Sequence, residues 1–409
     1  MSPSLDVYLG AERVGSLTRP GSGRLSFTYE TDRAEARLSV SLPVQPARFP
    51  NGRTRPFFEG LLPEGASRQQ IARMRGLSAD NAFGLLAEIG AECAGAVVIL
   101  PSGSPLPSAD MSDVAWLTDD ELAARIADLP THPLGVGADV RLSLGGVQEK
   151  LLVTRAPDGR FGQPSGGTPS THIIKPSTAR WAGIAINEAF CLRLAQSCGL
   201  PTVTVELVDR WSGSCLVVER FDRETDAASA TIRRTHQEDM CQALGRRPSE
   251  KYQTEGGPSC ADVTALLRAE SAAPALDINT FVRAVTFNYL IGNSDAHGKN
   301  FALLYGPDGT RLAPLYDLVS TTAYPDVTKR MAMFVGAEDD PGAVTEASWL
   351  QLAVDCDVNP PLVVRAVREL AERVRFGAAA LAQTAKSDGW HAPIIDEIVA
   401  VIVDRAGRL

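Results

Sequence analysis

The sequence predicts an α+β fold of two unlike halves, a β-rich first half and a mostly helical second. Three observations carry this. Up to about residue 220, short apolar runs, many β-branched, alternate with turns rich in Gly and Pro, as half-buried strands do. Beyond Phe221 apolar residues recur mostly at helical spacing. The chain has 409 residues, more than one simple core organises.

The elements follow in order. Asp6 to Leu9 and Val14 to Leu17 are apolar runs around a polar turn, a hairpin pattern, and Leu25 to Tyr29 and Ala36 to Leu42 look similar. After PFFEGLLPEG, residues 56–65, helical spacing covers Ser67 to Met74 and Asn81 to Ile89. Ala94 to Leu100 reads as a buried strand. Pro101 to Met111 is rich in Pro and Ser and reads as a linker. Asp119 to Ile126 reads as a short helix. Leu151 to Thr154, Thr171 to Ile174, Val203 to Val208 and Leu216 to Val218 read as strands. Ala185 to Cys198 reads as a helix stopped by Gly199 and Pro201. Further helices are expected over Gln237 to Leu244, Cys260 to Leu267, Ile278 to Ile291, Pro360 to Val374 and Ile394 to Val403. The expected division is 1–101, 102–220 and 221–409.

Composition narrows the function classes. Apolar residues make up 44% and charged residues 22%, an ordinary globular balance. The net charge of -9 argues against a free-standing nucleic-acid binder, which needs a basic surface. Local basic clusters stand at Arg246, Arg247 and Lys251 and at Lys329 and Arg330. The seven cysteines are irregularly spaced without a CxxC, which argues against a disulfide framework or zinc site. No basic-then-apolar leader opens the chain and no apolar stretch approaches about 18 residues. A cytoplasmic protein without membrane contact is the expectation.

The chemistry concentrates in NSDAHGKN, residues 293–300. Asp295 and Asn300 are separated by four residues, directly after an expected helix. In a phosphotransfer loop the Asp carboxylate orients the attacking hydroxyl and the Asn amide oxygen holds a metal ion on the phosphates. An expected hairpin, Phe301 to Leu304 and Arg311 to Leu315 around Pro307–Gly309, then delivers Tyr316 and Asp317. Asp317 is the expected second metal ligand, and such oxygen donors suit Mg²⁺. Upstream, SLGGVQEK, residues 143–150, puts adjacent glycines between strand-like runs, where backbone N–H groups can approach phosphate. Lys175 ends a strand within reach of α- and β-phosphates, and Glu188 in the next helix is placed to hold it. Glu219, Arg220 and Phe221 form a candidate adenine hinge. Taken singly, the Gly-Gly pair reads as a hairpin turn, Lys175 as a solvated strand end and Glu188 as a surface charge, while His297 is equally a structural histidine and Asp295 with Asn300 equally a turn and cap. The order of the set points to a two-lobed protein-kinase-like fold with nucleotide between the lobes.

The segments SLGGVQEK, THIIKP, VVERFDR, HQEDMCQALG, EGGP, NSDAHGKN and LAPLYD resemble, in that order, the HipA serine/threonine kinase toxins. The first hundred residues, with PFFEGLLPEG, resemble the N-terminal module that accompanies this kinase. The resemblance implies an ATP loop of Gly145, Gly146, Val147, Gln148, Glu149 and Lys150, a phosphate-binding Lys175, and an adenine hinge at Glu219 to Phe221. It implies a catalytic Asp295, further nucleotide contacts at His297, Gly298, Lys299 and Asn300, and a metal site at Asn300 and Asp317 beside Tyr316. Ser143 would match the serine that such kinases autophosphorylate. ATP and Mg²⁺ are the implied cofactors. A HipB-like helix-turn-helix antitoxin is the implied partner, with operator DNA bound only through that complex. Known family substrates include aminoacyl-tRNA synthetases. Two departures stand out: GGVQEK where something closer to AGAQEK is expected, and Gly298 where alanine is common. A small-molecule phosphotransferase and a non-catalytic corepressor are the competing classes. The HipA-specific segments count against the first, and the intact Asp295, Asn300, Asp317 and Lys175 against the second.

Overall fold

The structure is a computed structural model that describes residues 3–20, 23–30, 37–136, 143–144, 148–178, 180–211, 213–226 and 229–409. Gly145, Gly146 and Val147 of the expected ATP loop lie outside the described residues.

The chain opens with an antiparallel sheet of order β3-β2-β1-β4, built from Ser4–Leu9 (β1), Glu12–Thr18 (β2), Ser26–Tyr29 (β3) and Val97–Pro101 (β4). Helices Asn51–Gly60 (α1), Gly65–Met74 (α2) and Ala82–Ile89 (α3) intervene. Their apolar faces and one face of the sheet bury Phe27, Phe49, Phe57, Phe58 and Leu86 in a single core. Fully burying such side chains stabilises the fold by about 1.5–3 kcal/mol each. Leu134, Val136 and Leu152 join that core from farther along the chain.

The second sheet has the order β5-β7-β6-β8-β10-β9. Its strands are Val114–Trp116 (β5), Leu151–Arg155 (β6), Phe161–Pro164 (β7), His172–Pro176 (β8), Val205–Asp209 (β9) and Ser214–Glu219 (β10). Asp119–Ala127 (α4) starts with a Thr118–Glu121 capping box, which satisfies two orphan backbone donors. Ile184–Ser197 (α5) ends as expected before Gly199, whose φ is +76°, a conformation glycine adopts without Cβ strain.

Beyond Phe221 the structure is less helical than expected. Arg223–Asp226 (β11) and Thr231–Arg234 (β12) form a hairpin. His236–Asp239 (β13) joins Ala302–Gly306 (β14) and Gly309–Leu312 (β15) in a third sheet. The helix expected over Gln237 to Leu244 is therefore a strand followed by one helical turn, Met240–Ala243 (α6), started by an Asp239–Gln242 capping box. In the described part of Ala36 to Leu42 there is a tight turn with a Ser39–Leu42 bridge rather than a strand. The remaining helices are Cys260–Glu270 (α7), Pro274–Ile291 (α8), Glu346–Asp355 (α9), Pro360–Ser387 (α10) and Pro393–Ala406 (α11). With α5 they enclose the largest core, around Phe281, Phe287, Tyr289 and Trp349. No helix among the described residues is long and apolar enough to cross a membrane.

Candidate active site

One cavity of about 1090 Å³ lies between the β8–β10 region and the loops after α8, and Lys150, Lys175, Asp295, Asn300, Asp317 and Phe221 all line it. Its size fits a nucleotide with room for a second substrate.

The strand register explains the cationic wall. Leu151 of β6 pairs with Ile174 of β8, so Lys150, one step back, stands opposite Lys175, the next residue of β8. Both side chains are buried, and like charges set opposite each other repel. The Lys175 ammonium donates to Glu188 Oε1 at 2.7 Å and Asp317 Oδ1 at 2.5 Å. Burial works against its charge, but Asp317 and Glu188 outweigh burial and hold its pKa above the ordinary lysine value. Lys150 moves the other way. Burial and the neighbouring Lys175 bring it down to about 8, against weaker support from Asp317 and Glu64.

The acidic side comes from the segment after α8, which stops at Gly292 in the left-handed conformation, φ +74°. Asn293 Oδ1 accepts from the Asp295 N–H at 3.1 Å, and the Asn300 amide donates to the Asp295 carbonyl at 3.0 Å. These bonds close the loop, so Asp295 and Asn300 face one space. The Asp295 side chain is half exposed. Asp317 follows the β14–β15 hairpin with a φ of +56°, rare for a residue with a Cβ and commonest for Asn and Asp. Burial raises its carboxyl, but Lys175 and Lys150 overcome this and bring it to about 2. His297 is buried against the cavity, and Nδ1 has no partner among the described residues. Burial, then Lys251, pushes it down to about 4, so it is neutral at pH 7.

The hinge differs in part from expectation. Phe221 stacks on Tyr316 at 5.7 Å and 24°, a flat apolar pair at the cavity wall. The Glu219 and Arg220 N–H groups are already spent on the Thr204 and Thr171 carbonyls. The Arg220 side chain points away into a buried ion cluster, donating to Glu92 at 3.0 Å and Asp222 at 2.9 Å. Arg223 and Arg234 reach the same Glu92 carboxylate. The Arg220 guanidinium is thus committed within the protein. Lys299 is likewise engaged, donating to Asp239 at 2.7 Å and to the Gly60 carbonyl. The expected basic clusters are neutralised in part: Arg247 pairs with Glu59, Lys251 with Glu64 and Arg330 with Asp339.

No cluster of three or more His, Cys, Asp or Glu that could hold a metal occurs among the described residues. Asp317 and Asn300 are therefore not a closed cage. They fit Mg²⁺, which typically takes one or two protein ligands and fills its sphere with phosphate oxygens and water.

Residues 142–378 match the family described as HipA-like C-terminal domain, and residues 5–100 match the HipA N-terminal domain. The chain belongs to the HipA family. A Sinorhizobium fredii protein named "Putative kinase Y4mE" is 41% identical over 376 residues, 90% of this chain and 89% of that protein. The serine/threonine-protein kinase toxin HipA of Shewanella oneidensis is 30% identical over 357 residues, 83% of this chain and 80% of that protein. The Shewanella oneidensis HipA structure, solved with HipB and operator DNA, superposes with a TM-score of 0.84 at 26% identity, covering 99% of this chain and 97% of that one. This HipA-type chain is a protein kinase, and ATP with a divalent metal follows from that class.

Packing accounts for one family departure. A Cβ on Gly298 would lie 2.7 Å from Pro258 Cγ and 3.0 Å from Cys241 Sγ, closer than real Cβ contacts, so glycine suits this environment. Sequence reasoning passed over three residues. Glu92 gathers the arginines, Glu64 sits between Lys251 and Lys299, and Tyr252 donates to Asp295 at 2.5 Å. Their partners are distant in sequence, so no local spacing marks them.

Proposed function

We propose that this kinase is the toxin of a type II toxin–antitoxin pair, transferring the γ-phosphoryl group of ATP to a serine or threonine hydroxyl of a cellular protein. The observation that carries the reading is the meeting of Asp295, Asn300, Asp317 and the Lys175–Glu188 pair in one cavity. Asp295 accepts the hydrogen bond of the attacking hydroxyl and takes its proton as the hydroxyl oxygen bonds to γ-phosphorus. The bond from γ-phosphorus to the bridging oxygen breaks and ADP leaves. Lys175 and Lys150 offset charge on the phosphates, and Glu188 keeps Lys175 aimed. Asn300 and Asp317 would hold Mg²⁺, which supplies further neutralisation of the phosphates. Gln148, Glu149, His297, Gly298 and Tyr316 line or flank the nucleotide, with Phe221 against the purine. Catalysis of this kind is mostly positioning and electrostatics.

Ser143 is the proposed self-phosphorylation site. Its hydroxyl is fully buried and donates to the Leu61 carbonyl at 2.7 Å, and its N–H donates to the Glu92 carbonyl at 2.7 Å. The serine must leave this socket to meet ATP. A phosphate of about -1.5 to -2 charge would then be repelled by both carbonyls and hold the segment out. The proposed partner is a HipB-like antitoxin, through which the chain joins operator DNA in the cytoplasm. The proposed target class is an aminoacyl-tRNA synthetase. The proposed division is 1–101, 102–220 and 221–409, and the mainly separate apolar core of the opening residues supports its first boundary.

The deciding experiment is phosphoproteomics after brief expression of the wild type beside Asp295→Asn. A phosphosite on a cellular protein that is absent with the variant names the target. Equal phosphorylation with both chains would refute the role of Asp295.

A further inference from the structure

The Asp295 backbone is held at both ends by Asn293 and Asn300, but these bonds leave its side chain free to rotate. That side chain is 51% exposed, and an exposed carboxylate samples several rotamers. A single protein donor among the described residues fixes it: the Tyr252 hydroxyl, 2.5 Å from Oδ1. His297 Nε2 stands at 4.0 Å, too far for a hydrogen bond. The phenol occupies Oδ1 and leaves Oδ2 without a protein donor among the described residues. An orienting carboxylate needs this arrangement, one oxygen anchored and the other open.

Tyr252 is itself held. Its carbonyl accepts from the Gly257 N–H at 2.9 Å, closing a tight turn. A Cβ on Gly257 would lie 2.4 Å from the Glu250 carbonyl, so only glycine closes the turn unchanged. Gln253 ties the next residue down, its N–H donating to the Ala332 carbonyl and its side chain accepting from the Phe334 N–H. The Tyr252 ring meets His297 edge-on at 5.3 Å.

The last anchor comes from the opening module. Glu64, the residue just before α2, accepts from the Lys251 ammonium at 3.1 Å across 187 positions of sequence. Its Oε1 lies 3.8 Å from Lys299. Burial opposes its charge, but Lys299 and Lys251 outweigh burial and lower its pKa, so it is ionised at pH 7. Lys251 in turn lies 5.5 Å from the Tyr252 ring centroid. An ionised carboxylate of the module thus grips the residue beside the one that grips Asp295.

We propose that Tyr252 is a positioning residue for the Asp295 carboxylate, and that Glu64 of the opening module fixes it in place through Lys251. This rests on the phosphotransfer reading of Asp295 and gives the module a part in it. A hydrogen bond to a charged partner contributes enough that losing this one lowers turnover about 10- to 100-fold. ATP binding, made by other residues, is untouched.

The test uses the full chain with γ-labelled ATP and excess Mg²⁺, and follows label moving to the chain itself or to water. Tyr252→Phe keeps the ring and removes the donor. It should lower the rate at saturating ATP, with KM for ATP and the ATP-induced rise in melting temperature unchanged. Glu64→Gln should give a smaller loss of the same kind. The double variant should be no slower than Tyr252→Phe alone, because both act through one hydrogen bond. A Tyr252→Phe chain as fast as wild type overturns the proposal. A faster one would show that the phenol blocks the site. Losses that multiply, or that fall on KM and melting, would mark general damage and also overturn it. A wild-type chain that moves no label fails earlier and differently, since it removes the phosphotransfer reading and this proposal with it.

Discussion

Replacing Glu92 by glutamine tests how the opening module is joined to the hinge. Glu92 is fully buried and its carboxylate accepts from Arg220, Arg223, Arg234 and both the N–H and hydroxyl of Ser170. Burial alone would raise its pKa, but the three arginines bring it from 4.5 to about 2. At 1.36 kcal/mol per pH unit that difference corresponds to about 3 kcal/mol of stability. Breaking a buried ion pair by removing one partner costs about 3–5 kcal/mol, so the two routes agree. Because the folded value is depressed, this stability is fully present above pH 4.5 and is lost as pH falls toward 2. Urea unfolding followed by tryptophan fluorescence should place the Glu92→Gln midpoint about 1 M below wild type at pH 7. The gap should narrow as pH is lowered, because the wild-type carboxyl becomes protonated. A midpoint within about 0.2 M of wild type, or a gap independent of pH, would refute the reasoning.

Lys150, brought down to about 8, is charged at pH 7 and loses its charge as pH rises through that value. Calorimetric Mg-ATP affinity should therefore fall by up to about tenfold by pH 9, and Lys150→Met should be weaker and flat with pH. The unliganded fold carries the opposite sign: the buried charge destabilises it below pH 8, and it gains stability between pH 8 and 10.5. Asp317→Asn should abolish transfer and lose some stability at pH 7, because the carboxylate paired with Lys175 is gone, although asparagine tolerates a φ of +56°. Asp317→Ala should abolish transfer and also lose about 1 kcal/mol more in urea unfolding, since alanine is strained there. Ser143→Ala removes the hydrogen bond to Leu61 and should cost about 1 kcal/mol, read by the same unfolding assay.

What could be read from sequence followed a physical divide. The residues around Asp295, Asn300 and Asp317 were legible because their geometry is local: a helix stop, a tight loop and one hairpin. The β8–α5 pair of Lys175 and Glu188 lies only 13 positions apart and was legible for the same reason. Two kinds of feature were hidden. Gln237 to Leu244 has a helical run of apolar residues, yet β13 pairs with β14 some 60 residues later, and that tertiary pairing overrides local preference. Helix α1, with Pro56 inside it and glycine near both ends, lacks the usual helix signals and forms because its aromatic residues are buried. The charged hubs Glu64 and Glu92 find their partners 187 and 128 positions away. The Arg220 side chain, within a stretch read as an adenine hinge, pairs with Glu92, and nothing near position 220 announces that.

The ion cluster around Glu92 also bears on inheritance. The stretch at 101–111 looks like a natural seam for exchanging modules between related genes. A crossover there would separate one buried carboxylate from three guanidinium groups at 220, 223 and 234. Each parent half would arrive with buried charge in excess, Asp222 alone answering the arginines of the second half. A viable hybrid therefore needs both parents to carry the same carboxylate and arginines, or needs the seam moved past position 234. These four residues form one heritable unit, although more than a hundred positions of chain separate the first from the rest.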